Sequence, residues 1–234
     1  MANRTMRSIK SERDIREGVA ALKSACAHMA RLHGETGDPP LRRHPQGFVG
    51  LARAIAGQQL SIASAEAIWR RLEARLDPFE APSFLRLTDD DLRAAGLSRA
   101  KVDALRRVAE AIEGGRLNLE ALTKAPDEAV HAELTALKGI GPWTADIYLL
   151  FCLGRADAWS PGDLALQHAV RDALGLQMRP GQAEMVAIAE RWRPWRGVAA
   201  RLLWSYYALR RRNGSASTLP STLRQDAEDE RRAK

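Results

Sequence analysis

Leu137-Lys138-Gly139-Ile140-Gly141-Pro142-Trp143-Thr144-Ala145-Asp146 is the stretch on which the reading of this chain turns. Helical periodicity leads into it from Pro126, two glycines bracket one apolar residue, and Pro142 opens a second helical run. Glycine lets a backbone turn tightly and come close to another group. Proline suits the first turn of a helix, where its missing N–H costs nothing. A helix start carries free N–H groups and partial positive charge, which suits a phosphate. Downstream, Ser160-Pro161-Gly162-Asp163 sets one carboxylate at another predicted helix start. A phosphate-gripping turn followed by a carboxylate points to chemistry on a nucleic acid.

Outward from the turn the pattern stays helical. Pro126 to Leu137 enters it and Pro142 to Leu153 leaves it. Ile15, Val19, Leu22, Cys26, Met29 and Leu32 recur at spacings of three and four behind Ser11, predicting one helix over 11–32. After a break from Gly34 to Pro40 come Gln46 to Gly57 and a Ser61-capped run through Ile62, Ala65, Ile68 and Leu72. Thr88 and Asp91 form a capping box for a short helix ending at Gly96, and Ser98 to Ile112 follows, closed by Gly114-Gly115. Asp163 to Leu174, Gly181 to Trp192 and Pro194 to Arg212 bring the total to about ten helices. With no alternating strand pattern and no hairpin dipeptide, the fold class is all-α. The expected organisation is a basic segment over 1–10, a helical domain over 11–212 with the glycine turn and its helices at about 126–153, and a polar tail over 213–234 predicted to be disordered.

Of the 234 residues, 45% are hydrophobic, enough for a core, and the net charge of +7 fits a polyanionic partner. In the tail, Arg224, Arg231, Arg232 and Lys234 are cancelled by Asp226, Glu228, Asp229 and Glu230, so the excess lies in the helical part and residues 1–10. Cys26 and Cys152 are the only cysteines, which excludes a disulfide framework and suggests a reducing compartment. No apolar run approaches the roughly 20 residues of a membrane span. Met1 to Lys10 lacks the apolar segment of a signal peptide. The expectation is a soluble cytoplasmic protein, nucleoid-associated in a bacterium, with no membrane partner. His28, His33, His44, His131 and His168 show no metal-ligand spacing, and Trp69 and Tyr206 are assigned to the core.

The order helix, Leu-x-Gly-Ile-Gly, helix resembles the helix-hairpin-helix element that holds DNA backbones without reading sequence. Ser160-Pro161-Gly162-Asp163 stands where helix-hairpin-helix base-excision glycosylases carry a Gly/Pro-rich loop and one aspartate. Glu190-Arg191-Trp192-Arg193-Pro194-Trp195-Arg196 and Leu202-Leu203-Trp204 are similar to the C-terminal signature of the DNA-3-methyladenine glycosylase II family. Ala54-Ile55-Ala56-Gly57-Gln58-Gln59-Leu60-Ser61 and Ala95-Gly96-Leu97-Ser98-Arg99-Ala100-Lys101 resemble the same family upstream. The resemblance spans Gln46 to Arg211. It implies a helix-hairpin-helix glycosylase fold of two helical subdomains around an active-site cleft. It also implies a compact form without the N-terminal β-rich domain of larger bacterial members, with the Ser11 to Leu32 helix packed on the C-terminal helices. The implied activity is hydrolysis of the N-glycosidic bond of alkylated purines, of the 3-methyladenine and 7-methylguanine type, flipped out of double-stranded DNA by a monomeric enzyme that leaves an abasic site.

In that setting Asp163 is the catalytic carboxylate, stabilising developing oxocarbenium charge and orienting or deprotonating a water. Read alone, it serves equally as a helix N-cap. Trp143 and Trp204 match pocket aromatics whose faces suit cationic bases, with core packing as the alternative. Ile147 and Leu164 stand where a well-studied branch has aromatics, which leaves the lesion range open. Trp143 also replaces the Schiff-base lysine of bifunctional relatives, implying a monofunctional hydrolase without lyase activity. The resemblance turns Gly139, Ile140, Gly141 and Lys138 toward a phosphate. It also places a monovalent cation, Na or K, on the main-chain carbonyls of Thr135, Leu137 and Ile140. No cofactor is required, and two cysteines cannot hold an iron–sulfur cluster. Gln58 matches the residue that reaches into the gap left by the flipped nucleotide, or is a solvated amide. The Leu97-Ser98-Arg99 loop is the wedge between base pairs, with Leu97 or Arg99 at its tip. Arg196 approaches DNA or forms a structural ion pair. Two further readings stay open: a glycosylase for a mismatch or oxidised base, and a non-catalytic DNA-binding module, which would need neither Asp163 nor the paired tryptophans.

Overall fold

Side-chain caps set the helix starts. In the computed structural model, which describes residues 7–217, Ser11 caps α1 (Glu12–Ala25), and Asp14 returns the bond to the Ser11 N–H at 2.9 Å. The single helix expected over 11–32 is two. Cys26 takes extended values, φ −151° and ψ 113°, ending α1 and starting α2 (Ala27–Thr36). The interruption is one residue wide, so Ile15, Val19, Leu22, Met29 and Leu32 still share one core and the apolar period passes through it unchanged.

Next come α3 (Gly47–Ala56), α4 (Ile62–Glu73), α5 (Ala81–Leu85), α6 (Asp89–Ala94), α7 (Arg99–Glu113) and α8 (Leu119–Leu122). Two of these, α5 and α8, have no counterpart in the sequence reading; helices of five and four residues are too short for a 3.6-residue period to register. The hairpin is α9 (Asp127–Thr135) and α10 (Pro142–Ile147), and α11 (Leu164–Leu174), α12 (Gln182–Ala189) and α13 (Arg196–Ser217) complete the order. Helix α13 extends into the tail expected from 213. The rest of that tail and residues 1–6 of the basic segment lie outside the described residues. Among the described residues there is no β-strand, only an isolated bridge between Ser8 and Arg155, and no helix long and apolar enough to cross a membrane.

Apolar side chains gather into two cores. The first holds Leu51, Ile55, Trp69, Phe84, Leu105, Leu134 and Tyr148, contributed by the elements from α3 to α10 and the turn that follows. The second joins the two ends of the chain: Ile15, Leu22 and Leu32 from α1 and α2 meet Leu166, Val170, Leu202 and Leu203 from α11 and α13. Each such side chain contributes roughly 1.5–3 kcal/mol on burial. Trp204 packs against both cores, which places it on their seam. A second tie crosses the same seam. After α10 the chain widens into a π-turn, Tyr148–Cys152. Arg201 of α13, 3% exposed, donates to the Leu150 carbonyl at 2.6 Å and the Gly197 carbonyl at 2.8 Å. Burial, with Arg43 and Arg42 nearby, pushes the Arg201 pKa down to about 10, so the guanidinium stays charged at neutral pH.

The hairpin turn is shaped by one of its two glycines. Gly139 has φ +101°, and a Cβ there would lie 2.6 Å from the Ala104 Cβ of α7. Gly141, the N-cap of α10, has φ −93°, and a Cβ added to it would meet nothing within 4 Å. Gly139 is thus demanded by backbone conformation and by docking on α7, whereas Gly141 keeps the outer face of the turn open. Gly139→Ala is expected to lower unfolding free energy by about 1–3 kcal/mol, and Gly141→Ala by less than about 1 kcal/mol. Urea unfolding of the two variants checks this, and equal losses would contradict the assignment.

Candidate active site

Asp163 is the N-cap of α11, and its Oδ1 accepts the Leu166 N–H at 2.8 Å. The same carboxylate receives both tryptophans singled out in the sequence. Trp143 Nε1 of α10 donates to Oδ2 at 2.8 Å, and Trp204 Nε1 of α13 donates to Oδ1 at 3.1 Å. Three helices therefore converge on one carboxylate at the seam between the cores. N-cap and candidate reactive group, the two readings of Asp163, describe one arrangement.

The loop before Asp163 is held from behind. The Asp163 N–H donates to the Ser160 carbonyl at 3.2 Å. Buried Gln167 donates to the Pro161 carbonyl at 2.8 Å, and Arg179 donates to Gln167 Oε1 at 2.8 Å. Sequence reasoning missed Gln167, Arg179 and Phe151, whose ring rests 5.5 Å from that of Trp204. The helical spacing of Asp163 and Gln167 was a usable signal for the first; nothing local marks the others. Ile147 is half-buried against the first core, and Leu164, next to Asp163, is 61% exposed.

Three expectations about DNA-facing residues are corrected, and of the two readings of Arg196 the structure has the ion pair. Leu97 is 4% exposed and belongs to the first core, so it is not the tip of a wedge; Ser98 and Arg99 beside it are exposed. Gln58 does not project outward: its Nε2 donates to Thr144 Oγ1 at 2.9 Å and to the Gly139 carbonyl at 3.2 Å, bracing the hairpin. Its neighbour Gln59 is exposed in left-handed backbone, φ +55°, and is followed by exposed Leu60 and Ile62. Arg196 is engaged by Asp157 through Nε at 3.0 Å and Nη2 at 3.1 Å, with its side chain 14% exposed, which makes it an ion pair. Ile140 turns its side chain into the core and gives its N–H to the Leu137 carbonyl at 3.0 Å.

That leaves the amides of Gly139 and Gly141, which have no backbone acceptor among the described residues, on an exposed turn beside exposed Lys138. Free amides and a cation on a convex turn suit a phosphate. No backbone donor among the described residues reaches the carbonyls of Thr135 and Ile140, and Leu137 keeps a second lone pair. Carbonyl oxygens are the ligand type that a hard cation takes.

These features agree with the comparisons. The family model described as "HhH-GPD superfamily base excision DNA repair protein" matches residues 52–194. The chain belongs to this superfamily. The chain is 27% identical over 211 residues to the alkylbase DNA glycosidase-like protein mag2 of Schizosaccharomyces pombe, covering 87% of this chain and 99% of mag2. It is 33% identical over 158 residues to DNA-3-methyladenine glycosylase 1 of the same yeast, covering 66% of this chain and 69% of that protein. Among solved structures, the S. pombe 3-methyladenine DNA glycosylase Mag1 in complex with abasic DNA matches with a TM-score of 0.76 at 28% identity, over 80% of this chain and 95% of that one. A DNA-3-methyladenine glycosidase from Bacillus halodurans matches with a TM-score of 0.67 at 33% identity, over 86% and 91%. The all-α helix-hairpin-helix fold of the superfamily is the fold found here.

One buried acid stands directly behind the site. Asp146, between Trp143 and Ile147 on α10, is 7% exposed, with His131 Nε2 3.6 Å away and fully buried Ser160 beside it. Burial raises its pKa from 3.8 to about 7, partly opposed by the neighbouring Ser160 hydroxyl. The folded protein thus keeps a proton that the unfolded chain releases between about pH 4 and 7, and stability from this group is lost as pH rises through that window. Unfolding free energies at about pH 5 and pH 8 should fall more steeply in the wild type than in Asp146→Asn; parallel slopes would refute the assignment.

Proposed function

We propose that this protein is a monofunctional DNA glycosylase that hydrolyses the N-glycosidic bond of alkylated purines in duplex DNA and leaves an abasic site. The observation that carries this reading is the Asp163 carboxylate, held between two indoles at the junction of the two cores. The names of the relatives, which specify 3-methyladenine and alkylbase glycosylases, support the substrate class.

A base inside a duplex is out of reach, so its nucleotide is extruded at a cost of a few kcal/mol. On this reading the hairpin holds the backbone through Lys138 and the Gly139 and Gly141 amides. A cation on the Thr135, Leu137 and Ile140 carbonyls would add positive charge facing a phosphate. Gln59, with Leu60 and Ile62 beyond it, is the exposed projection suited to fill the space left behind, with Ser98 and Arg99 as the second contact. Bond cleavage leaves positive charge on the sugar, which the Asp163 carboxylate stabilises while orienting the attacking water. An alkylated purine that carries positive charge departs as a neutral base, so no protein acid has to protonate it. Such a base is also attracted to the indole faces of Trp143 and Trp204 by roughly 0.5–2 kcal/mol each. Trp143 has no amine with which to form a Schiff base, so hydrolysis ends at the abasic site. One chain supplies every group named, and a monomer suffices.

Asp163→Asn keeps an oxygen for the helix cap. It is expected to lower release of 3-methyladenine and 7-methylguanine from methylated genomic DNA by about 100-fold or more. Binding to abasic-site DNA should persist, and the wild-type product strand should stay intact until treated with alkali. Chromatography of released bases and gel analysis of the strand check these outcomes. No alkylpurine release by stoichiometric wild-type protein would remove the reading; release from a mismatch substrate only would move the activity to another lesion.

A further inference from the structure

Indole has one polar atom, an Nε1–H that only donates. That hydrogen bond is not automatic here: the buried Nε1 atoms of Trp69 and Trp192 have no partner among the described residues, and Trp159 gives its own to the Met185 carbonyl at 3.2 Å. Trp143 and Trp204, from different helices, both spend theirs on Asp163. Stacking on a base uses the ring face and does not require this.

A carboxylate offers about four lone-pair sites. Oδ1 of Asp163 accepts Leu166 N–H and Trp204 Nε1, and Oδ2 accepts Trp143 Nε1. The helix cap and Trp204 hold one oxygen and Trp143 holds the other; neither oxygen lies on the axis of the last torsion, which is broad for aspartate, so each bond opposes its rotation. Trp143 makes the shorter of the two indole bonds, 2.8 Å against 3.1 Å, and of these three donors it alone acts on Oδ2. It also leaves Oδ2 with one site to spare, the site available to a sugar or a water. Trp204 is itself seated, its ring resting on Phe151.

We infer that Trp143 and Trp204 are positioning residues whose N–H groups fix the rotation of the Asp163 carboxylate, with Trp143 the stronger of the two. This rests on the glycosylase reading above and deepens it. Charge-assisted hydrogen bonds of this kind are roughly twice as strong as neutral ones, and misplacing a reacting group costs up to about 100-fold in rate.

Phenylalanine keeps an aromatic face and removes the N–H. In single-turnover release of 7-methylguanine, Trp143→Phe is expected to be about 10- to 100-fold slower than wild type and Trp204→Phe less affected. The dissociation constant for abasic-site DNA should change by less than about twofold in both. In an Asp163→Asn background, Trp143→Phe should have no further effect, which a role in stacking alone would not produce. A second readout needs no activity. The indole resonances of residues 143 and 204 in ¹H–¹⁵N spectra, assigned by their loss in the Phe variants, should both move in Asp163→Ala, while those of Trp69 and Trp192 stay in place. Wild-type release rates in both Phe variants, or unmoved resonances in Asp163→Ala, would overturn the inference. If the wild type releases no alkylpurine yet the resonances move, the substrate reading fails while the clamp on Asp163 is supported.

Discussion

The structure depends on a carboxylate that three helices share. Asp163 closes the start of α11, receives one indole from the hairpin helix α10 and another from the terminal helix α13, and so joins the two cores at the point where they meet. Polar groups at such a seam are costly unless fully paired. Here the donors that satisfy the carboxylate come from separate helices and reach both of its oxygens. Removing Asp163 would leave two indole N–H groups and a helix N–H, from three different helices, to find other partners.

Arg201 performs a parallel service on the buried side of the seam. In the π-turn after α10 the Leu150 carbonyl takes its donor from the Arg201 guanidinium of α13. Seen together, Asp163 and Arg201 bracket the seam with opposite charges, each hydrogen-bonded to groups of both cores. Gln58 adds a brace between the end of α3 and the hairpin, using the Gly139 carbonyl that the turn exposes.

Much of this was legible in the residues themselves. Ser11, Ser61, Thr88 and Asp163 announced helix starts because capping is local chemistry, decided within three residues. The glycine turn and the single aspartate were legible for the same reason. What stayed hidden depends on partners distant in sequence. Leu97 reads as an exposed loop residue until the first core closes over it. Arg196 reads equally as a DNA contact or an ion pair until Asp157 is found beside it. That Trp143 and Trp204 point their N–H groups at one carboxylate is invisible to any spacing rule. The extended residue at Cys26 escaped for a different reason: a one-residue break leaves the apolar rhythm intact on both sides.

The spent indole N–H groups bear on how such a pocket tells one base from another. A purine's identity is carried by the donors and acceptors on its edges, and an indole has a single polar atom with which to read them. With that atom turned toward Asp163 in both rings, neither indole keeps a polar atom with which to read a base edge. Faces respond to the electron deficiency of a ring and not to its edge pattern. On the proposed function, discrimination between damaged and intact purines would then rest on reactivity, the bond already weakened by alkylation being the one that breaks.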